Sequence, residues 1–140
     1  MQKYIDRLTT EWETHGKIII GADFDSTLSP YPTIENDKDI ARCVNLIKIA
    51  QQTGAYVVIY TCCDPGRYDD IIGFVTNNGI RVDAINRNPI DLPFGHGSKP
   101  YCNIYLDDRS GFIQAMDILE AAMYTIRAKQ NIKNSSFQTF

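Results

Sequence analysis

Apolar and polar residues fall along the chain in blocks whose spacing changes. Lys17–Phe24 (KIIIGADF) is an unbroken apolar run that ends in acid, the pattern of a strand covered on both faces. Ala55–Thr61 (AYVVIYT) predicts a second such strand, Ile80–Ile85 a shorter one, and Asn103–Asp107 (NIYLD) a fourth. Between them the apolar spacing shifts to three and four. Residues 3–15 predict a helix with Ile5, Leu8 and Trp12 on one side and Gly16 at its stop. Asn36 or Asp37 opens a helix to about Gln52, with Ile40, Val44, Ile47 and Gln51 marking its repeat. Asp64-Pro65 reads as an N-cap followed by first-turn proline, starting a helix that reaches Asn77 or Asn78. Ser110 is placed to cap the last helix, whose Phe112, Met116, Leu119, Met123 and Ile126 form a core stripe. Residues 86–101 carry three prolines and predict a loop; residues 131–140 predict a polar tail that frays.

Strands alternating with helices predict a parallel sheet with right-handed crossovers. The expectation is an α/β, Rossmann-like three-layer domain over residues 1–130, with 131–140 as the tail. In such a sheet the binding crevice lies outside the carboxyl ends of the strands. A chain of 140 residues, 44% hydrophobic and 22% charged, suits one folded domain and argues against wholesale disorder.

Charge and cysteine usage narrow the setting. Seventeen acids against fourteen Lys+Arg leave a net charge of −3, and no basic run offers a footprint for nucleic acid. No apolar run approaches the ~20 residues that cross a bilayer, so no membrane partner is expected. The N-terminal MQKYIDRLTTEWETHGK lacks the apolar core of a secretory signal. Cys43, Cys62, Cys63 and Cys102 lie inside apolar segments without metal-site spacing, the pattern of free thiols in a reducing, cytoplasmic compartment.

The strand ends carry the chemistry. The first ends in Asp23-Phe24-Asp25-Ser26-Thr27, the second in Thr61 and the fourth in Asp107-Asp108, with Lys99 in the loop feeding that last strand. A lone acid at such a place is ordinary turn chemistry. Four acids brought to one sheet edge repel one another unless a cation holds them. Hard oxygen ligands point to Mg²⁺.

In their order, IIIGADFDST, VVIYT, Lys99 and NIYLDD resemble the four motifs of the haloacid dehalogenase (HAD) superfamily of phosphohydrolases. GSKPYCNIYLDDRSG is similar to a group of small members from bacteria and phages. The resemblance spans about residues 18–108. It implies a Mg²⁺-dependent phosphomonoester hydrolase acting through an aspartyl-phosphate, with Asp23 the nucleophile and Asp25 the general acid and base. It further implies Thr61 and Lys99 as phosphate-binding groups and Thr27 as a brace for the strand-end loop. Asp23, the Asp25 backbone carbonyl, Asp107 and Asp108 are the implied metal ligands. Ser26 stands where the family most often has glycine, which tightens the demand on the backbone there. Asp25 argues against carbon–halogen chemistry, whose branch lacks that acid.

Larger relatives insert a cap domain. Here the interval from Thr27 to Thr61 holds little beyond one helix, and that from Thr61 to Lys99 a helix, a strand and the proline-rich loop. A capless member is therefore expected. Specificity would rest on Leu28–Glu35, on residues 86–98, or on a neighbouring subunit of a homo-oligomer, with Tyr31 and His96 placed to touch substrate. A small phosphorylated metabolite, a nucleotide or sugar phosphate, is the leading substrate class. An open site also admits a polynucleotide end or a phosphoprotein. A receiver-type phosphoacceptor domain shares the Asp/Thr/Lys/Mg²⁺ set, but it places its acidic pair first and its lysine last.

Overall fold

A computed structural model of the protein describes residues 1–93 and 97–138. Helix α1 (Gln2–His15) leads into strand β1 (Ile18–Asp23), followed by α2 (Asp37–Gln52) and β2 (Ala55–Tyr60). A 3₁₀ turn (Pro65–Arg67) precedes α3 (Tyr68–Asn77), and β3 (Ala84–Ile85), β4 (Ile104–Leu106) and α4 (Phe112–Gln138) complete the chain. The sheet runs β3-β2-β1-β4 and is parallel throughout. The α/β class and the parallel sheet therefore match the apolar pattern.

Register decides what meets at the sheet's edge. Asp23 pairs with Tyr60, Ala22 with Leu106 and Ile59 with Ile85, so Thr61, Asn86 and Asp107 all emerge at the level of Asp23 or one step beyond it. β1 is buried along Ile18–Ala22, and its β-branched side chains suit a strand packed on both sides.

The two faces differ. On one, Ile18, Ile20, Val57, Ile59 and Leu106 pack with Trp12 of α1, Ile47 of α2, Val75 of α3 and Met116, Leu119 and Met123 of α4. Each such large apolar side chain contributes ~1.5–3 kcal/mol when fully buried. On the other face Ile19, Val58, Ala84 and Cys102 pack with Tyr56 and Tyr105 of the sheet itself and with Ile90 and Leu92 of the loop that covers it. The third of the expected three layers is thus loop, not helix, among the described residues. Prolines 89, 93 and 100 explain it, because each removes a donor and disfavours helix in the residue before it. No second folded unit stands over the strand ends among the described residues.

Several boundaries move. β3 shrinks from Ile80–Ile85 to Ala84–Ile85 because the Asp83 carboxylate takes the Val57 N–H at 2.8 Å, where a strand carbonyl would stand. Asn103 acts similarly before β4, its Oδ1 accepting from Ile19 N at 2.7 Å. In α2 the buried stripe is Ile40, Cys43, Leu46, Ile47 and Ala50; Gln51 lies on the rim and bonds the Arg81 backbone. Gly111 (φ 62), not Ser110, stands at the start of α4, its carbonyl accepting from Ala115 N. That helix continues to Gln138, past the point where residues 131–140 were expected to fray, although its buried stripe ends at Ile126. Over the exposed residues 131–135, backbone hydrogen bonds propagate the helix without burial to support it.

Candidate active site

The loop after β1 is tightly wound. The Phe24 carbonyl accepts from Thr27, Leu28 and Ser29 N–H at 3.0–3.3 Å, and Ser26 N donates to Ser29 O at 2.7 Å. Ser26 adopts φ 61, the left-handed conformation that glycine takes freely and that costs other residues ~1–2 kcal/mol. The departure from glycine thus falls where glycine's freedom is used. Phe24 packs edge-to-face on Phe74 of α3, and Asn36 donates to Ser26 O at 2.7 Å, so both sides of the loop are pinned.

This winding turns Asp23 toward the end of β4. Oxygens of Asp23, Asp107 and Asp108 lie within 4.8 Å of one another, and all three residues are half-buried. Thr27, fully buried, clasps the far side: its hydroxyl donates to Asp108 Oδ1 at 3.2 Å and accepts from Asp108 N at 3.1 Å. Asp107 is held by Arg109 N–H on Oδ1 at 2.9 Å and by the Tyr60 hydroxyl on Oδ2 at 3.2 Å. Burial pushes the Asp23 carboxyl up to about 6; the Phe24 N–H opposes this, and repulsion from Asp107, Asp108 and Asp25 adds to it. Burial, with the charge of Asp107 and Asp23, holds the Tyr60 hydroxyl far above its ordinary range, so it donates.

Asp25 lines the same cleft, but its carboxylate stands outside the three-residue cluster. Thr61 sits on the opposite wall. Its hydroxyl accepts from Cys63 N at 3.1 Å, which leaves its proton to donate. Asn86 fixes the Thr61 backbone from both sides, accepting from Thr61 N and donating to Thr61 O, each at 2.9 Å. It also donates to Tyr68 OH at 2.8 Å. Asn86 has φ 53, a conformation in which asparagine is several-fold enriched.

The cleft has a volume of about 900 Å³, with Tyr31 on its rim and Arg67 and Arg109 as its cationic side chains. Lys99 is not part of its wall. Its ammonium lies 5.0 Å from the centre of the Tyr105 ring, on the loop-covered face of the sheet. The Tyr105 hydroxyl holds this end of the loop there by donating to Pro100 O at 3.0 Å. His96 lies outside the described residues. Sequence reasoning missed Tyr60, Asn86, Arg67 and Arg109. Only Asn86, a polar residue where a short strand meets a loop, left a visible signal.

The donor set fits a hard dication: three converging carboxylates carry more negative charge than the surrounding O–H and N–H donors balance. Among the described residues no helix is long and apolar enough to cross a membrane. No family model matches the chain. No curated protein matches it. A solved structure described as the conserved protein coded by a locus from Bacteroides thetaiotaomicron is similar in fold, with a TM-score of 0.53 and 25% identity over 68% of this chain and 78% of that one.

Proposed function

We propose that the protein is a HAD-type, Mg²⁺-dependent phosphomonoester hydrolase that works through an aspartyl-phosphate on Asp23. The observation that carries this reading is the meeting of Asp23, Asp107 and Asp108 within 4.8 Å on the floor of a cleft whose wall bears Thr61. The Asp23 carboxylate attacks phosphorus in line, and the departing alkoxide takes its proton from Asp25. Asp25 then draws a proton from water, which attacks the acyl-phosphate, frees inorganic phosphate and restores Asp23. Asp25 suits this role because its carboxylate is not engaged in the cluster. The Thr61 O–H donates to a phosphoryl oxygen. Mg²⁺ held by Asp23, Asp107, Asp108 and the Asp25 carbonyl would offset the acid charge and polarise the phosphoryl group. Thr27 keeps Asp108, and through it the β4 end, in register with the nucleophile loop.

The leading substrate class is a small phosphorylated metabolite, a nucleotide or sugar phosphate; the open cleft, with no cap among the described residues, also admits a polynucleotide end or a phosphoprotein. Four free cysteines, two of them buried, support a cytoplasmic setting. The test is a phosphate-release screen over nucleotides, sugar phosphates, 3′-phosphoryl oligonucleotides and phosphopeptides, with Mg²⁺ and after exhaustive chelation. Release by the wild type that disappears with chelation and in Asp23→Asn is expected. Full activity after chelation, or in Asp23→Asn, refutes the mechanism.

A further inference from the structure

We propose that Asn86 is a positioning residue for phosphoryl binding: its side-chain amide stands in for a strand peptide and so holds Thr61 at the cleft. This role rests on the phosphohydrolase reading above, in which the Thr61 hydroxyl donates to a phosphoryl oxygen. Val58 pairs with Ala84 and Ile59 with Ile85, and Asn86 N donates to Ile59 O at 2.8 Å. In a parallel ladder carried one step further, the next bond would run from Thr61 N to the Asn86 backbone carbonyl. Thr61 N donates instead to Asn86 Oδ1 at 2.9 Å, and Thr61 O accepts from Asn86 Nδ2 at 2.9 Å. One primary amide thus supplies both the acceptor and the donor that a longer β3 would have given.

The exchange of backbone for side chain frees the main chain. At Asn86 φ is 53, so the chain turns out of the sheet there while Thr61 stays bonded on both sides. β3 therefore ends at the level of Asp23, and Thr61 and Asn86 both line the cleft. The amide has one orientation that satisfies it: Nδ2 also donates to Tyr68 OH at 2.8 Å, at the start of α3. The Thr61 hydroxyl oxygen accepts from Cys63 N at 3.1 Å. Thr61 is thus held at its nitrogen, its carbonyl and its hydroxyl oxygen, and only the hydroxyl proton is left to turn toward a ligand. Glycine would take the same φ with no side-chain bond, and aspartate would accept from Thr61 N without donating to Thr61 O.

The test joins amide hydrogen exchange by NMR to kinetics on p-nitrophenyl phosphate with Mg²⁺, using Asn86→Gly, Thr61→Val and the pair together. Asn86→Gly suits the backbone at φ 53 and removes only the clasp. The Thr61 amide should exchange slowly in the wild type and at least ~10-fold faster in Asn86→Gly. In that variant kcat/KM should fall roughly 10- to 100-fold, as for a small misplacement of a positioned group. Because Asn86 acts through the Thr61 hydroxyl, adding Asn86→Gly to Thr61→Val should cost little beyond Thr61→Val alone. A merely structural clasp would cost the same factor with or without that hydroxyl, so losses that multiply overturn the assignment. A wild-type Thr61 amide that exchanges as fast as those of the exposed loops overturns it too, whether or not Asn86→Gly folds. In either case the hydrolase reading stands if Asp23→Asn and chelation abolish turnover. A wild type that releases phosphate from no ester, or releases it fully after chelation, overturns both.

Discussion

Replacing Asp23 with asparagine separates what the acidic cluster does for chemistry from what it does to stability. Asparagine keeps the oxygen that accepts the Phe24 N–H at 2.8 Å and removes the charge facing Asp107 and Asp108. Raising a carboxyl from 3.8 to about 6 corresponds to roughly 3 kcal/mol of disfavoured ionisation. Asp23 is only half-buried, so solvent screening reduces the recoverable part to roughly 1–2 kcal/mol. For a chain of this size that is a rise in melting temperature of about 3–8 °C. Thermal unfolding in EDTA at neutral pH should show Asp23→Asn melting above the wild type by that margin. Between 3.8 and about 6 the folded wild type holds more protons than the unfolded chain, so its stability falls as pH rises through that interval. The gap between the two proteins should therefore open as pH rises from about 4 to 7 and nearly vanish below it. With Mg²⁺ the order should reverse, because the wild type gains ligand-linked stability that the variant has largely lost. A variant that melts at or below the wild type in EDTA at every pH would mean that the three carboxylates do not strain the empty site, and the argument for a cation there would fail.

Thr27→Val removes both links to Asp108 and should cost about 1–3 kcal/mol, read as a lower urea midpoint with an unchanged slope; an unchanged midpoint would deny the clasp any energetic role. Tyr60→Phe keeps the ring packing on Tyr105 but takes the hydroxyl from Asp107, so Mg²⁺ affinity by calorimetry should fall by roughly tenfold with little change in melting temperature. Equal affinity in the two proteins would remove Tyr60 from the site. Gly21→Ala places a methyl 2.7 Å from Cys102 Sγ and 3.1 Å from Tyr105, an overpacking cost of about 1–3 kcal/mol. Adding Cys102→Ala should recover part of that loss, and no recovery would show that the crowding lies elsewhere.

The parallel sheet and most of the core were legible because they follow from local patterns. Apolar runs ending in acid marked β1 and β4, and the four-three spacing from Phe112 to Ile126 marked the buried face of α4, every one of whose five named residues is buried. Asp23, Asp107 and Asp108 could be named together because parallel strands bring their carboxyl ends to one edge whatever the loops do. Ser26 was singled out only by the resemblance, whose family most often has glycine there, and its φ of 61 is the left-handed conformation that glycine takes freely.

Tertiary packing decided the rest. Strand β3 lost its first residues to the Asp83 carboxylate, a side chain competing with the backbone for a neighbouring strand's N–H, which no local pattern encodes. Lys99 is close in sequence to the acidic pair, and the ring of Tyr105 and the carbonyl of Pro100 settle its place on the sheet face onto which Asp23, Tyr60 and Asp107 emerge. Asn86 belongs to a segment that reads as a loop; only the parallel pairing of β3 with β2 brings it to Thr61. Residue types and strand ends determined which acids meet, because backbone pairing is periodic. Which hydroxyls and amides hold them and the neighbouring Thr61 depended on side chains reaching between elements, and that reach is set by packing in three dimensions.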